Sequence, residues 1–301
     1  MKPCTPPPPL QPGDKLCVVS PSGALRETAA FHAGIDLWRS QGYRVEPVPG
    51  YDARWGYLAG TDAQRRQQLW QALDDPDCRG ILCARGGYGG ARLLEAWQWP
   101  SQLTPKWLIG FSDITALLWS LAQQQISGVH GPLLTTLGSE PAWSVDRLFD
   151  WVRGGRLPSI HGQGWGNGTA QGLLLPANLT VATHLLGTTV QLDLSGVILA
   201  MEDVSEAPYR IDRMLTQWRM MGLLSQVKGI ALGRFSQCDP PPTIPSFTVA
   251  EVLRDRLGDL GIPIVSDLPF GHDGENAALP VGQLCCLDGD RGRLDLLGDQ
   301  S

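Results

Sequence analysis

Through the first half of the chain, short apolar runs alternate with stretches whose apolar residues recur at helical spacing. "KLCVVSPSG" (15–23) reads as a strand with a polar end. "RETAAFHAGIDLWRSQG" (26–42) has the period of a helix and stops at Gly42, and "YRVEPVP" (43–49) reads as a second strand. Next come "GTDAQRRQQLWQALDDPD" (60–77), a helix with Thr61 or Asp62 as N-cap, the strand "GILCA" (80–84) and "RGGYGGARLLEAW" (85–97). Trp107-Leu108-Ile109 ends another short apolar strand, and a helical pattern begins at Ile114. Alternating strands and helices predict an α/β fold, with a doubly wound, mostly parallel sheet covered on both faces.

Glycine, proline and polar residues without a sustained period mark 154–169, "GGRLPSIHGQGWGNGT", as a linker. The expected division is a nucleophile domain over 1–153 and a mixed α/β or β-rich C-terminal domain over 170–301, with the active site in the cleft between them. The second half reads "GLLLPANLTVATHLLGT", the strand "SGVILAMED", the helix "PYRIDRMLTQWRMMGLL", the strand "VKGIALGRF", a helix near 249–258 and the strand "IPIVSDLPF". It closes with "GQLCCLDGDRGRLDLL", where Asp288-Gly289-Asp290 to Gly292 turns a hairpin.

Composition narrows the class. The chain has 301 residues, 43% hydrophobic and 18% charged, with a formal net charge of -6 that gives no footprint for nucleic acid. The start, "MKPCTPPPPLQPGDKL", has no apolar signal region, and no run reaches the roughly 18 apolar residues that span a bilayer. The expectation is therefore a cytoplasmic protein without a membrane partner. Seven cysteines, without a C-x-x-C pair and largely inside apolar runs, read as reduced, packed thiols and offer no metal site.

Polar residues directly after apolar strands are the candidates for chemistry, because loops converge at the carboxyl edge of a parallel sheet. Ser112 falls on a strand-to-helix turn, where a hydroxyl projects outward and the next N–H can face an oxyanion; it equally reads as the cap of the helix that follows. The elbow G-x-S-x-G is not matched, since Ile114 replaces the second glycine. "ARGGYGG" (84–90) has Arg92 where G-x-G-x-x-G requires glycine, and no G-K-[ST] follows. Its glycines suit either a tight turn or an oxyanion hole of main-chain N–H groups. A serine nucleophile needs a base oriented by an acid. His32, His161 and His184 lie in a surface helix, the linker and a core helix, while His130 in "GVHGP" and His272 in "PFGHDG" both follow strands and remain tied. Glu202, Asp203 and Glu206 are the candidate acids, any of which could also cap the helix that Pro208 begins.

Six segments taken together resemble the serine LD-carboxypeptidases, or muramoyltetrapeptide carboxypeptidases, a family whose fold the microcin C immunity peptidases share. They are "SPSG" (20–23), "ARGGYGG" (84–90), "IGFSDITALL" (109–118), "HGP" (130–132), "MEDVSEAPYRIDRMLTQ" (201–217) and "FGHDGENAALPVG" (270–282), in order along nearly the whole chain. The resemblance implies Ser112 as nucleophile, Glu202 as acid and His272 as base, with oxyanion donors at Gly87 and Asp113 and His130 in a supporting position. It implies release of the terminal D-alanine from a murein tetrapeptide or muropeptide, whose diamino acid is usually meso-diaminopimelate, without metal or organic cofactor, by a cytoplasmic homodimer. An exopeptidase also needs a reader for a free carboxylate, and Arg85 and Arg213 are the candidates. Two departures stand out: Ala177 replaces a glycine usual in the family, and the proline-rich N-terminus lies outside the pattern and is expected to be a flexible extension. The alternatives are a peptidase of the same fold that inactivates a peptidyl-nucleotide antibiotic of the microcin C type, and a non-enzymatic sugar- or peptide-binding protein.

Overall fold

A computed structural model describes residues 1–241 and 243–298. Strands β1 (Lys15–Val19), β2 (Arg44–Pro47), β3 (Cys78–Cys83), β4 (Trp107–Gly110) and β5 (Val129–His130) form a parallel array in the order β2-β1-β3-β4-β5. The order reverses beside β1, and in such sheets the crevice beyond the carboxyl ends at the reversal is where ligands bind. The loops after β1, β3 and β4 open into that crevice.

Helices cover both faces, as the alternating pattern predicted. On one face α1 (Thr28–Ser40), α5 (Leu134–Leu137) and α6 (Ala142–Val152) pack through Phe31, Ile35, Trp38, Leu134 and Phe149 onto Leu16, Val18 and Leu82. On the other, α2 (Asp62–Asp74), α3 (Gly90–Leu94) and α4 (Thr115–Gln123) pack onto Cys17, Val19, Ile81 and Leu108. Of the two N-cap candidates for α2, Thr61 takes the role: its hydroxyl accepts the Gln64 N–H at 3.3 Å while Gln64 Oε1 accepts the Thr61 N–H at 2.8 Å. Thr115 through Ala122 of α4 are all buried, which explains a helix that is apolar on every side: it is covered by the second half as well, with Trp119 Nε1 donating to Pro176 O at 3.2 Å.

The second half builds another sheet. Strands β6 (Ile160–His161), β7 (Gln163–Gly164), β8 (Thr169–Asn178), β9 (Val197–Val204), β10 (Gly229–Ser236) and β11 (Ile264–Ser266) precede β12 (Leu279–Pro280), β13 (Leu284–Asp288) and β14 (Arg293–Leu296). The run β8-β9-β10-β11 is parallel, and the hairpin β13-β14 adds antiparallel to β8. Helices α7 (Leu179–Leu185), α8 (Pro208–Met220) and α9 (Val249–Leu257) lie on the outside, α8 opening with Pro208 at its first position. Along β9, Val197, Leu199 and Met201 face these helices and α4 while Ile198 and Ala200 face inward toward Leu174, Phe270 and Leu287.

The stretch 160–165 pairs with β14 on one side and β11 on the other, so it closes this second sheet upon itself. Its glycines are a consequence of that closure. A Cβ at Gly162 would lie 2.2 Å from Ser266 O, and one at Gly164 would lie 2.1 Å from Gly289 O. Strand β12 leaves the C-terminal half and pairs antiparallel with β5, completing the edge of the first sheet.

One expectation is corrected. The proline-rich N-terminus is not a free extension: it runs along the junction of the two halves. Cys4 N–H donates to Gly282 O at 3.2 Å, Gln283 Nε2 donates to Cys4 O at 2.6 Å, Trp107 Nε1 donates to Pro8 O at 2.9 Å, and Leu10 is 2% exposed. Prolines lack N–H donors, so the segment docks through the N–H groups of its few other residues, such as Thr5 to Gln125 O at 2.8 Å and Leu10 to Val152 O at 2.7 Å, and through carbonyls, rather than through a continuous ladder.

Among the described residues, no helix is long and apolar enough to cross a membrane.

Candidate active site

Ser112 begins a one-turn 3-10 helix, Ser112–Ile114, at the end of β4, with a backbone φ of +63°. An L-residue in that region is strained by on the order of 1 kcal/mol, so the turn must be held from outside. Phe111, not Ser112, holds the N-cap position of this helix, and no side-chain cap hydrogen bond is made there. The hydroxyl is presented by a sharp turn rather than used to end a helix.

What holds the turn is Asp113, which is 3% exposed. Its Oδ2 accepts the Ser22 hydroxyl at 2.5 Å and the Gly90 N–H at 2.7 Å, joining the loops after β1 and β3 to the turn after β4. Burial pushes the Asp113 carboxyl above its ordinary range, against the pull of these two donors and of the Arg65 charge. Arg65, fully buried on α2, ties the same loops from beneath through Pro21 O and through Gly89 O at 2.8 Å, and pairs with Asp62. Asp62 is also bound by Arg92 at 2.7 Å.

The glycines after β3 abut the serine. A Cβ at Gly86 would lie 3.1 Å from Ser112 Cβ and 3.2 Å from its Oγ, so only glycine fits comfortably there. Gly87 has φ +113°, which side chains rarely adopt. Asp113, second in its short helix, has no intrahelical acceptor for its N–H.

Glu202 lies near the carboxyl end of β9, where the strand is buried through Asp203, and is itself fully buried. Its Oε2 lies 2.6 Å from His272 Nδ1, and its Oε1 accepts the Asn178 side-chain N–H at 3.2 Å. Because a carboxylate only accepts, the Nδ1 of His272 carries the proton and Nε2 is left as the basic nitrogen. Asn178 is itself fixed as the N-cap of α7, its Oδ1 taking the Val181 N–H at 3.1 Å. Neighbouring Asp203 accepts from Thr180, Val204 and Asn178, and burial followed by the Glu202 charge raises its pKa to about 6. For His272, burial acts to lower the pKa, but the hydrogen bond and charge of Glu202, with Asp203 and Asp273, prevail and leave it above the ordinary value.

Phe111, the residue before Ser112, lies against the base candidate: its ring centroid is 4.5 Å from that of His272, tilted by 50°. No hydrogen bond joins Ser112 Oγ to the imidazole in this structure. Of the two tied histidines, His272 is the one bonded to an acid. His130 lies behind Phe111 at 5.8 Å, fully buried, with both ring nitrogens unpartnered among the described residues and its pKa held down to about 4 by burial. His32, His161 and His184 are exposed and make no hydrogen bond to this pair; His184, expected in the core, instead lies on an exposed face of α7 with Nδ1 2.6 Å from Thr180 O.

The two candidate arginines do not join the group. Arg85 donates to Ala24 O at 2.8 Å and faces Glu27 at 3.7 Å, while Arg213 is exposed on α8 over the ring of Tyr209 at 5.3 Å. A cavity of about 660 Å³ adjoins His272, and the arginine that lines it is Arg234, at the end of β10. Sequence reasoning passed over Arg234 and Asn178. The signal was present in both cases: a polar residue where an apolar strand ends, in "GIALGRF" and "LLLPANLT". Ala177, the departure from the family pattern, is buried in β8 opposite Met201.

The N-terminal domain of LD-carboxypeptidases, as a family model, matches residues 16–131, and the C-terminal domain of the same family matches 171–287. The putative carboxypeptidase slr1534 of Synechocystis is 62% identical over 96% of both chains. The murein tetrapeptide carboxypeptidase of Pseudomonas aeruginosa is 31% identical, covering 92% of this chain and 94% of its own. Among solved structures, the muramoyltetrapeptide carboxypeptidase of Oxalobacter formigenes superposes with a TM-score of 0.83 at 28% identity, over 94% of this chain and 97% of that one. Two matched domains that together span most of the sequence, and relatives matched over nearly their full length, place this chain in the LD-carboxypeptidase family of peptidases.

Proposed function

We propose that the protein is a serine LD-carboxypeptidase that releases the terminal D-alanine from murein tetrapeptides in the cytoplasm, as a homodimer, for recycling of the cell wall. The observation that carries this reading is the hydrogen bond between His272 Nδ1 and Glu202 Oε2 beside the strained Ser112 turn. It is the base-orienting half of a Ser-His-acid arrangement, in a chain whose relatives include murein peptide carboxypeptidases.

In the mechanism, the Ser112 hydroxyl swings to His272 Nε2 as substrate binds; such hydrogen bonds commonly tighten only in the complex. Oγ attacks the carbonyl carbon of the diamino acid and its proton passes to Nε2, while Glu202 stabilises the imidazolium through Nδ1–H. The oxyanion takes hydrogen bonds from the N–H groups of Gly87 and Asp113. As the intermediate collapses, the C–N bond breaks and the imidazolium returns its proton to the departing amine of D-alanine. Water then attacks the acyl ester and gives a proton to His272 Nε2; as this second intermediate collapses the ester bond breaks, the imidazolium returns that proton to Ser112 Oγ, and the tripeptide carboxylate is freed. An oxyanion donor contributes on the order of a hundred- to a thousandfold in rate, so hole and base act together.

The test is to supply purified protein with a murein tetrapeptide and, separately, with a peptidyl-nucleotide conjugate. D-alanine appearing by mass spectrometry from the first, and lost in Ser112→Ala, supports the proposal. Selective cleavage of the second assigns the fold's other chemistry, and binding that persists unchanged without turnover of either points to a binding protein.

A further inference from the structure

We infer that the exposed rings of Trp55, Tyr57 and Tyr88 form a platform on the acyl side of the crevice, which stacks against the sugar of a glycan-bearing substrate. The inference rests on the tetrapeptide reading above and names what the chain grips far from the bond that is cut.

Three large aromatic side chains are left in solvent on one rim of the crevice: Trp55 is 53% exposed, Tyr57 59% and Tyr88 53%. Scattered apolar residues on a surface are ordinary, but a cluster held in place beside a crevice marks a contact surface. Trp55 and Tyr57 flank Gly56 on a tight turn closed by reciprocal hydrogen bonds, Trp55 N–H to Leu58 O at 2.9 Å and Leu58 N–H to Trp55 O at 3.0 Å. That turn is pinned to the loop after β1: Ala24 N–H donates to Tyr57 O and Ala59 N–H donates to Ser22 O, both at 3.0 Å. The same loop holds the glycine turn after β3, with Gly23 N–H donating to Gly86 O at 3.1 Å. Tyr88 follows Gly87 directly, and its ring centroid lies 5.9 Å from that of Tyr57, tilted by 58°. The rings and the proposed oxyanion donor are thus set by one hydrogen-bonded stack of loops.

The proposed mechanism gives the direction. His272 returns its proton to the amine of D-alanine, so the leaving group lies toward the C-terminal half. The acyl chain departs from the attacked carbonyl on the opposite side, past Gly87 and onto Tyr88. In murein that chain is joined, after three residues, to N-acetylmuramic acid through the lactyl group of the sugar, and three extended residues span roughly 10 Å. Tyr88 begins one peptide unit, ~3.8 Å, beyond Gly87, and Tyr57 lies against it, which falls within that span. A pyranose has a face of C–H groups and a polar edge. The negative face of an aromatic ring attracts such C–H groups. The phenol hydroxyls serve the polar edge, together with Arg92, which interacts with both tyrosines and is held by Asp62 at 2.7 Å. Rings tilted by 58° make no parallel slot for a flat base, whereas a puckered sugar fits against them.

The experiment measures D-alanine release by the full chain from three tetrapeptides that differ only at the amino end: free, N-lactylated, or carrying N-acetylmuramic acid. The lactyl form controls for loss of the terminal charge. The wild-type protein is expected to prefer the sugar-bearing form to the lactyl form by about 10-fold in kcat/KM, chiefly through KM, the scale of one or two aromatic contacts. Trp55→Ala and Tyr57→Ala should each lower that ratio about threefold, and Tyr57→Phe should retain most of it. Thermal melts and light scattering on each variant exclude unfolding and a changed oligomeric state as the cause. Equal rates for the lactyl and sugar forms, or alanine variants that keep the wild-type ratio, overturn the inference while D-alanine release sustains the proposed function. A ratio lost only together with the oligomeric state also overturns it, and assigns the rings to a subunit contact. Release from none of the three overturns both.

Discussion

The hydroxyl of Ser22 lies 2.5 Å from Asp113 Oδ2, a contact between the loop after the first strand and the turn that presents Ser112. The same carboxylate oxygen takes the Gly90 N–H at 2.7 Å. Three loops therefore share one acceptor. Ser22→Ala removes a donor to a buried carboxylate and should lower stability by about 1–3 kcal/mol. It should also lower kcat more than it alters KM, because a loosened turn misplaces the proposed nucleophile. Thermal melts and steady-state kinetics on the same variant check both.

Glu202→Gln is expected to move the acid limb of the kcat/KM profile to lower pH. With the charge gone, burial is left as the main influence on the His272 imidazole, and it acts downward. The sign for stability follows from the raised native pKa. Wild-type stabilisation from the pair is fully present below the unfolded value near 6.5 and is lost as pH rises through the native value. The melting difference between wild type and variant should accordingly shrink from pH 6 to pH 8, as scanning calorimetry can follow.

Ser112→Ala and Ser112→Gly should both abolish turnover, yet they should not melt alike. At φ +63° alanine keeps the strain and glycine relieves it. The glycine variant should melt about 1–3 °C higher, less than the full strain because glycine also loosens the unfolded chain.

Removing residues 1–9 should destabilise the protein by about 2–3 kcal/mol, the scale of burying one or two apolar side chains with their hydrogen bonds, and lower Tm by roughly 3–5 °C. The thiol of Cys4 gives an independent readout. Burial raises its pKa to about 11, so it should resist thiol reagents at neutral pH until the segment undocks.

Much of this was legible in the residues because the signals are local. Strand β4 and the turn at Ser112 follow from an apolar run meeting a helical period, and the start of α2 was legible as Thr61 or Asp62, of which the structure makes Thr61 the cap. The His272–Glu202 pairing was narrowed by position and fixed only by resemblance, since the partners are 70 residues apart and no local pattern joins them. What escaped was set by tertiary crowding. Glycines at 162 and 164 have the composition of a loose connection, yet they mark places where two backbones nearly touch. The docked prolines near the start escaped for the converse reason, as extended chain without donors has no period to read.

Strand β12, only Leu279–Pro280, has an effect out of proportion to its length. It caps the outer edge of β5 with chain that follows directly on His272, so neither half of the polypeptide is self-sufficient. A fragment ending near residue 153 would expose a bare hydrogen-bonding rim, an invitation to aggregation, and its complement would have no mooring for the imidazole's loop. Assembly of the proposed reactive pair is thus coupled to completion of both halves, and neither half alone should show partial activity.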